Sequence, residues 1–331
     1  MKATAIAPSN IALVKYWGRR NDRLVLPYNG SISVSLNDLF TRTTVEFSSD
    51  FKEDIVVING EVAEGEKFSR VINFVNMIRD IYSIDDHVKI VSENNFPTSA
   101  GLASSASGFA ALTLACSKAL GLNLSDKEIS ILARRSGSGS ASRSIFGGFV
   151  EWHRGNRDDG TDSYSEQIVD EKYWRDFRII VSIVAKSEKK ISSARGMKYT
   201  VETSPFYKGW IDSIDNDLKR IRSGILDRDI ELVGSVAEHN CLKMHSLMLS
   251  TVPPLIYWVP GTLQVIHTIH KLRDDDLACY FTIDAGPNVK VICSKNDVKE
   301  IEDVLTDKCS IEDIIVTKPG KGARITNSHL F

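Results

Sequence analysis

Residues 94–108, NNFPTSAGLASSASG, set glycine, alanine and serine ahead of an apolar run. Small residues let backbone N–H groups close on an anion, and a helix that follows aims its positive end there. The hydroxyls of Ser104, Ser105 and Ser107 can donate to phosphate or ligate Mg²⁺. Neither G-x-x-x-x-G-K-[ST] nor G-x-G-x-x-G occurs in this segment, so it is not a Walker A loop or a dinucleotide fingerprint. Such a run also serves tight packing, and spacing alone leaves both readings open.

A second segment, 134–148, RRSGSGSASRSIFGG, alternates Ser136, Ser138, Ser140, Ser142 and Ser144 with small residues and carries Arg143. A planar guanidinium suits bidentate binding of carboxylate or phosphate. A flexible linker shares this composition, although linkers rarely sit between apolar elements such as EISILA and IFGGFVEW. Anion cradle and structural turn both stand. In PSNIALVKYWGRR, 8–20, Lys15 lies among apolar residues beside Tyr16 and Trp17. It either snorkels to water or supplies positive charge in a desolvated site. In TIDAGPN, 282–288, Asp284 ends an apolar strand before Gly286 and Pro287. It either caps a turn or, facing a phosphate loop, does acid–base or electrostatic work.

Positioning these groups falls to elements readable from periodicity. TAIAP, SISVSL and TRTTVEF read as short strands, the second by its alternation. DIVVI runs into Asn59-Gly60, a two-residue hairpin signal. Val71, Phe74, Val75 and Ile78 recur at helical spacing between Glu66 and Ile81, and HVKIVSENNF reads as strand and loop. The segment 101–120 reads as a Gly/Ser loop leading into a buried helix. Ser125 and Glu128 form a capping box for a helix from Asp126 to about Arg135. GGFVEWH is a strand, and 154–165 a polar loop. FRIIVSIVAK, 177–186, opens or bridges to a second domain. Helices follow over 206–223, 228–249 and 261–273, then strands ACYFTIDA and NVKVICS, a helix DVKEIEDVLTD and a strand IEDIIVTKP. Both halves mix strands and helices without regular βαβ alternation, so the expected class is α+β with two domains. The boundaries are 1–176 and 177–331.

The 331 residues suit about two domains. Hydrophobic residues are 42% and charged residues 25%, ordinary for a globular protein. The formal charge is −2 without long Lys/Arg runs, which argues against a nucleic-acid or anionic-membrane surface. No transmembrane helix is expected, and MKATAIAPSN lacks a signal-peptide core. Cys116, Cys241, Cys279, Cys293 and Cys309 are odd in number and contain no C-x-x-C, so reduced thiols in a cytoplasmic protein are expected. The N-x-S/T matches at Asn29 and Asn123 then carry no glycan.

In this order, ALVKYWGRR, LPYNGSISVSL, NNFPTSAGLASSASGFAAL, SGSGSASRSIFGG and TIDAGPNVKV resemble the diphosphomevalonate decarboxylase family, a branch of the small-molecule kinase superfamily of galactokinase, homoserine kinase, mevalonate kinase and phosphomevalonate kinase. The likeness runs from about Ala5 to at least Val291. KYWG, NNFPTSAGLASSASG and DAGPN are specific to the decarboxylase branch. The resemblance implies an N-terminal domain like domain 2 of ribosomal protein S5, a C-terminal split-βαβ (ferredoxin-like) sandwich, and an active site in the cleft between them. It implies a reaction of ATP with (R)-5-diphosphomevalonate giving isopentenyl diphosphate, ADP, phosphate and CO₂. Phosphorylating the tertiary C3 hydroxyl makes it a good leaving group, and CO₂ departs as the alkene forms.

The resemblance also assigns residues. Asp284 matches the essential Asp beside the C3 hydroxyl, Lys15 a Lys of the same cluster, and Arg143 the Arg that grips the substrate carboxylate. Tyr16, Trp17, Gly18 and Arg19 match a substrate-contacting stretch, in which many relatives have Lys for Arg19. Ser138, Gly139, Ser140, Ala141 and Ser142 fall in the substrate-binding turn, and Ser193 matches a diphosphate contact. Lys67 stands at a basic position for the diphosphate. Asn94, Pro97, Ser99, Gly101, Leu102, Ala103, Ser104, Ser105 and Ser107 form the nucleotide loop, with Ser105 near Mg²⁺. Ala194 departs from the Thr or Arg of relatives, and Arg195 offers compensation. His239 and His245, in AEHNCLKMHSLM, suggest helix packing before a metal. The implied partners are small molecules and a second copy of the chain. The alternatives are a mevalonate 3-kinase, a phosphomevalonate decarboxylase, and a silent ligand-binding regulator, the last disfavoured because Lys15, Ser105, Arg143 and Asp284 are all retained.

Overall fold

Small and β-branched residues from Lys2 onward favour one extended strand, β1 (Lys2–Val14), in the computed structural model, which describes residues 1–96, 104–186 and 191–331. A short hairpin, β2 (Arg19–Asn21) and β3 (Leu26–Pro27), precedes β4 (Ser31–Ser48). SISVSL and TRTTVEF are therefore one strand. The exposed pair Asn37 and Asp38 lies mid-strand, and the register against β1 shifts between Pro8 and Asn10. That irregularity lets β4 bend, so its first part pairs β8 and its second part β7.

The expected hairpin forms between β5 (Ile55–Ile58) and β6 (Glu61–Val62), with positive φ at both Asn59 and Gly60. Then come α1 (Gly65–Tyr82), β7 (His87–Asn94), α2 (Ser104–Ala119) and α3 (Asp126–Arg134). The Ser125 and Glu128 capping box is present in full. A 3₁₀ turn, Gly139–Ile145, leads to β8 (Phe149–Trp152) and β9 (Ser165–Val169). The first sheet runs β14-β1-β4-β7-β5-β6, with β8 and β9 branching from β4. α1, α2 and α3 cover it through Phe74, Val75, Ile78, Phe109, Leu112 and Leu132.

The second half has β10 (Phe177–Ile183), α4 (Ser193–Thr203), α5 (Tyr207–Asp227), α6 (Ile230–Leu249), α7 (Pro260–Asp274), β11 (Tyr280–Ile283), β12 (Val289–Ser294), α8 (Val298–Lys308), β13 (Asp313–Thr317) and β14 (Arg324–Thr326). Its antiparallel sheet runs β11-β12-β10-β13. Sequence periodicity left β9, α4 and β14 unassigned. β14 returns to the first sheet and pairs Thr326 with Thr4. The core between the halves is continuous: Ile11, Leu13 and Val34 pack in one cluster with Trp210, Ile214 and Val233. The five cysteines are buried and free.

Candidate active site

The end of β1 and the turn between β11 and β12 meet where the two halves join. Lys15, just past β1, donates from Nζ to Asp284 Oδ1 at 2.6 Å and to the Ala12 carbonyl at 2.8 Å. Its backbone is fixed as well. The Lys15 N–H donates to Asn240 Oδ1 at 2.8 Å, and Asn29 Nδ2 donates to the Lys15 carbonyl at 2.8 Å. Asn240 is oriented in turn by Asp217, which accepts from Asn240 Nδ2 at 2.7 Å and from Lys243 Nζ at 2.5 Å. The carboxylate of Asp284 is 28% exposed and the Lys15 side chain only 2%, so the acid alone faces the cleft. The snorkelling alternative for Lys15 is thereby set aside. Lys290 Nζ lies 3.4 Å from Asp284 Oδ2. Sequence reading missed this lysine.

Arg143 is buried in the 3₁₀ turn. Its Nε donates to Ser33 Oγ at 3.0 Å, Nη1 to Ser31 Oγ at 2.5 Å and Nη2 to Asn10 Oδ1 at 3.3 Å. Burial pushes its guanidinium down to about 10, against which the charge of Asp284 and the phenol of Tyr16 pull upward. It therefore stays cationic at pH 7. A guanidinium has five N–H donors, so these bonds leave one on each terminal nitrogen, the pair a carboxylate takes up.

Tyr16 packs edge-on to Trp152 at 4.7 Å, and its hydroxyl accepts from Arg19 Nε at 2.9 Å. Desolvation raises its phenol despite the cations of Arg19 and Arg143. Arg19 also reaches the Gly137 carbonyl at 2.7 Å, tying the first segment to the serine-rich one. Trp17 Nε1 donates to Thr200 Oγ1 of α4 at 3.0 Å. Gly18 has φ +114°, and a Cβ there would collide with the Tyr207 hydroxyl, which bonds the Trp17 carbonyl. A Cβ at Gly139 would strike the Trp152 ring.

Ser105, at the start of α2, has its Oγ 3.2 Å from Ser138 Oγ, and Ser138 Oγ is 3.4 Å from Ser140 Oγ. These hydroxyls form a row between the two glycine- and serine-rich segments. Ser107 differs from expectation. It is fully buried, and its hydroxyl is shared with Thr41 Oγ1 at 2.7 Å and the Ser104 carbonyl at 3.2 Å, so it braces α2 against β4. Asn94 Oδ1 accepts from Thr41 at 2.6 Å and is likewise part of the sheet. Ala141 is core, and Ser142 donates to the Gly139 carbonyl, so both shape the turn. Pro97, Ser99, Gly101, Leu102 and Ala103 lie outside the described residues.

Lys67 stands exposed on the first turn of α1. Arg70, a turn further on, lies over the Phe109 ring at 5.0 Å, and desolvation and the charge of Arg19 push its guanidinium down. Ser193 begins α4, half-buried, and Ala194 is exposed. Arg195 turns along its own helix, donating to the Tyr199 hydroxyl at 2.6 Å. His239 is exposed. His245 is buried against Trp258, its imidazole pushed down to about 3 by burial and by Lys15. Among the described residues no group of three or more His, Cys, Asp or Glu is placed to hold a metal ion.

Residues 7–165 match the model of the diphosphomevalonate decarboxylase-like N-terminal domain, and residues 179–319 that of the mevalonate 5-diphosphate decarboxylase C-terminal domain. The chain is 38% identical over 303 residues to the diphosphomevalonate decarboxylase of Saccharomyces cerevisiae, covering 86% of this chain and 76% of that one. It superposes with TM-score 0.92 on the mevalonate diphosphate decarboxylase of Enterococcus faecalis, at 41% identity over 98% of this chain and 99% of that one. A structure described as MDDEF with MVAPP, AMPPCP and magnesium gives TM-score 0.93 at 42% identity, over 98% and 99%.

Proposed function

This chain belongs to the diphosphomevalonate decarboxylase family, and we infer from that membership and from its cleft how its own residues carry the reaction. It is an ATP-dependent decarboxylase of (R)-5-diphosphomevalonate, using Mg²⁺ and yielding isopentenyl diphosphate, ADP, phosphate and CO₂. The observation that carries the residue assignment is the 2.6 Å Lys15–Asp284 pair at the junction of the two sheets, with Arg143 close enough to sense the same carboxylate.

The C3 oxygen bonds the γ-phosphorus of ATP, and ADP leaves with the electron pair of the broken P–O bond. Asp284 orients the hydroxyl, takes its proton as the new P–O bond forms and passes it to the phosphate that departs, and Lys15 favours the ionised carboxylate before and after. Phosphate then departs from C3 with the C–O electron pair. The bond to the carboxylate supplies the pair for the alkene as CO₂ leaves. Arg143 aligns that carboxylate, and Asp284 stabilises positive character at C3. Ser105, Ser138 and Ser140 offer hydroxyls to the phosphates and their Mg²⁺. Tyr16 and Arg19 line the substrate side, with Lys67, Arg70 and Ser193 as the diphosphate candidates. Residues 1–176 and 177–331 form the two domains, with β14 lent back to the first sheet. A cytoplasmic homodimer is part of this proposal. No described helix is long and apolar enough to cross a membrane.

The test is product analysis with ATP, Mg²⁺ and 5-diphosphomevalonate, on the wild type and on Asp284→Asn. Equal amounts of ADP, phosphate, CO₂ and isopentenyl diphosphate are expected from the wild type. Asp284→Asn should lose most turnover while nucleotide affinity holds. A 3-phosphorylated product without CO₂ would mark a kinase instead, and near-normal turnover in Asp284→Asn would remove the role of the acid.

A further inference from the structure

We propose that Lys290 is a positioning residue for this reaction: with Lys15 it clamps the two oxygens of Asp284 and keeps the carboxylate ionised and aimed at the acceptor hydroxyl. The proposal rests on the reading of Asp284 given above. Lys15 holds Oδ1 at 2.6 Å and Lys290 stands 3.4 Å from Oδ2. The side chains of these lysines are 2% and 1% exposed against 28% for the acid. Both ammoniums contact the carboxylate, which is the exposed member of the three, so each acts through it.

Packing gives no reason for a lysine here. Lys290 lies in β12 between buried Val289 and Val291, paired with Thr282 of β11 on one side and Val181 of β10 on the other. An aliphatic residue would fill this position without the desolvation cost of an ammonium. That cost is visible, since burial pushes the Lys290 amine down while Asp284 pulls it back up. Besides Asp284, Lys290 Nζ donates to the Asn288 carbonyl at 3.1 Å. The same Asn288 accepts from the Val184 and Ala185 N–H groups at 2.8 and 3.2 Å. Lys290 thus links the carboxylate to a turn that is itself pinned to the end of β10.

Among the described residues, the charged groups seen to act on Asp284 are cations. Lys15 and Lys290 contact it, and Arg143 is near enough for its charge and that of Asp284 to interact. Among the described residues, α6 adds the Cys241 thiol and the His245 imidazole to this cluster. The Cys241 thiol is pushed up to about 11 and the His245 imidazole down to about 3, so both are neutral at pH 7. Removing one ammonium from such a set makes protonation of the carboxylate easier.

The experiment compares Lys290→Met, Lys290→Gln and Lys290→Arg, each alone and in the Asp284→Asn background, by steady-state kinetics against pH. In the two neutral variants kcat should fall about 10- to 100-fold with KM for both substrates within about threefold. The acidic limb of their kcat profile should move up by about one pH unit. Lys290→Arg should return the limb and part of kcat. With Asp284→Asn already in place, Lys290→Met should cost less than about twofold more, because the two act as a unit. A folded neutral variant with an unmoved pH profile would overturn the proposal, as would a full additive loss in the double variant. Normal turnover in Asp284→Asn alone would instead remove the premise, and so is distinguishable from failure of Lys290.

Discussion

Arg134 and Arg143 are both buried, one at the end of α3 and one in the 3₁₀ turn that follows, and they do different work. Arg134 donates to the backbone carbonyls of Leu24, Gly160 and Ser163, locking the β2–β3 hairpin to the loop before β9. Arg143 donates to side-chain oxygens of Ser31, Ser33 and Asn10. Burial pushes both guanidiniums down to about 10. Their next influences differ: Arg135 and Arg20, both cations, for Arg134, but Asp284 and Tyr16 for Arg143. Carbonyls of a loop cannot turn away without moving the loop, whereas hydroxyls can re-aim around a bound anion. On the proposed assignment, the identity of the partners, and not burial, separates the structural cation from the substrate-binding one.

The largest effect expected of this contrast is in Arg143→Lys. An ammonium cannot reproduce the fork, and the loss should be about 2–5 kcal/mol in kcat/KM with the melting temperature nearly unchanged. An unaltered kcat/KM would put Arg143 in the same class as Arg134. Next comes Arg134→Met, which leaves loop carbonyls without donors. Urea unfolding should show a destabilisation of about 2–4 kcal/mol, while kcat per folded molecule stays within about twofold. Normal stability with lost turnover would erase the distinction. The smallest is Ser33→Ala, which removes one hydroxyl from the collar of Arg143. It should lower kcat/KM for diphosphomevalonate by about 1 kcal/mol and leave unfolding midpoints where they were.

What the sequence disclosed follows from how local each signal is. The Ser125 cap and the Asn59-Gly60 turn need only neighbours in the chain, and both formed as read. Lys15, Arg143 and Asp284 stood out as charges set in apolar or small-residue surroundings. Lys290 did not, because a lysine in NVKVICS reads as the solvent side of an alternating strand. Only the flanking of β12 by β10 and β11 makes that position interior. Asn10, Ser31 and Ser33 were equally silent, since it is the β1–β4 pairing that gathers them beneath Arg143. Ser107 misled for the converse reason: its neighbours in sequence suggest a phosphate contact, but the helix turns its hydroxyl toward Thr41. α4, with Gly196 and several β-branched residues, has weak intrinsic helix propensity and owes its place to packing.

The return of β14 to β1 also sets an order of events during synthesis. Thr4 and His329, 325 residues apart in sequence, share a 2.7 Å hydrogen bond across that edge. At about 5–20 residues per second, a ribosome needs roughly 15–60 s to supply the second partner after the first. Until then the first sheet has an open edge, able to pair with a neighbouring nascent chain. Chains that stop short of Arg324 should therefore pellet from translation extracts even when both halves of the catalytic cleft have been made.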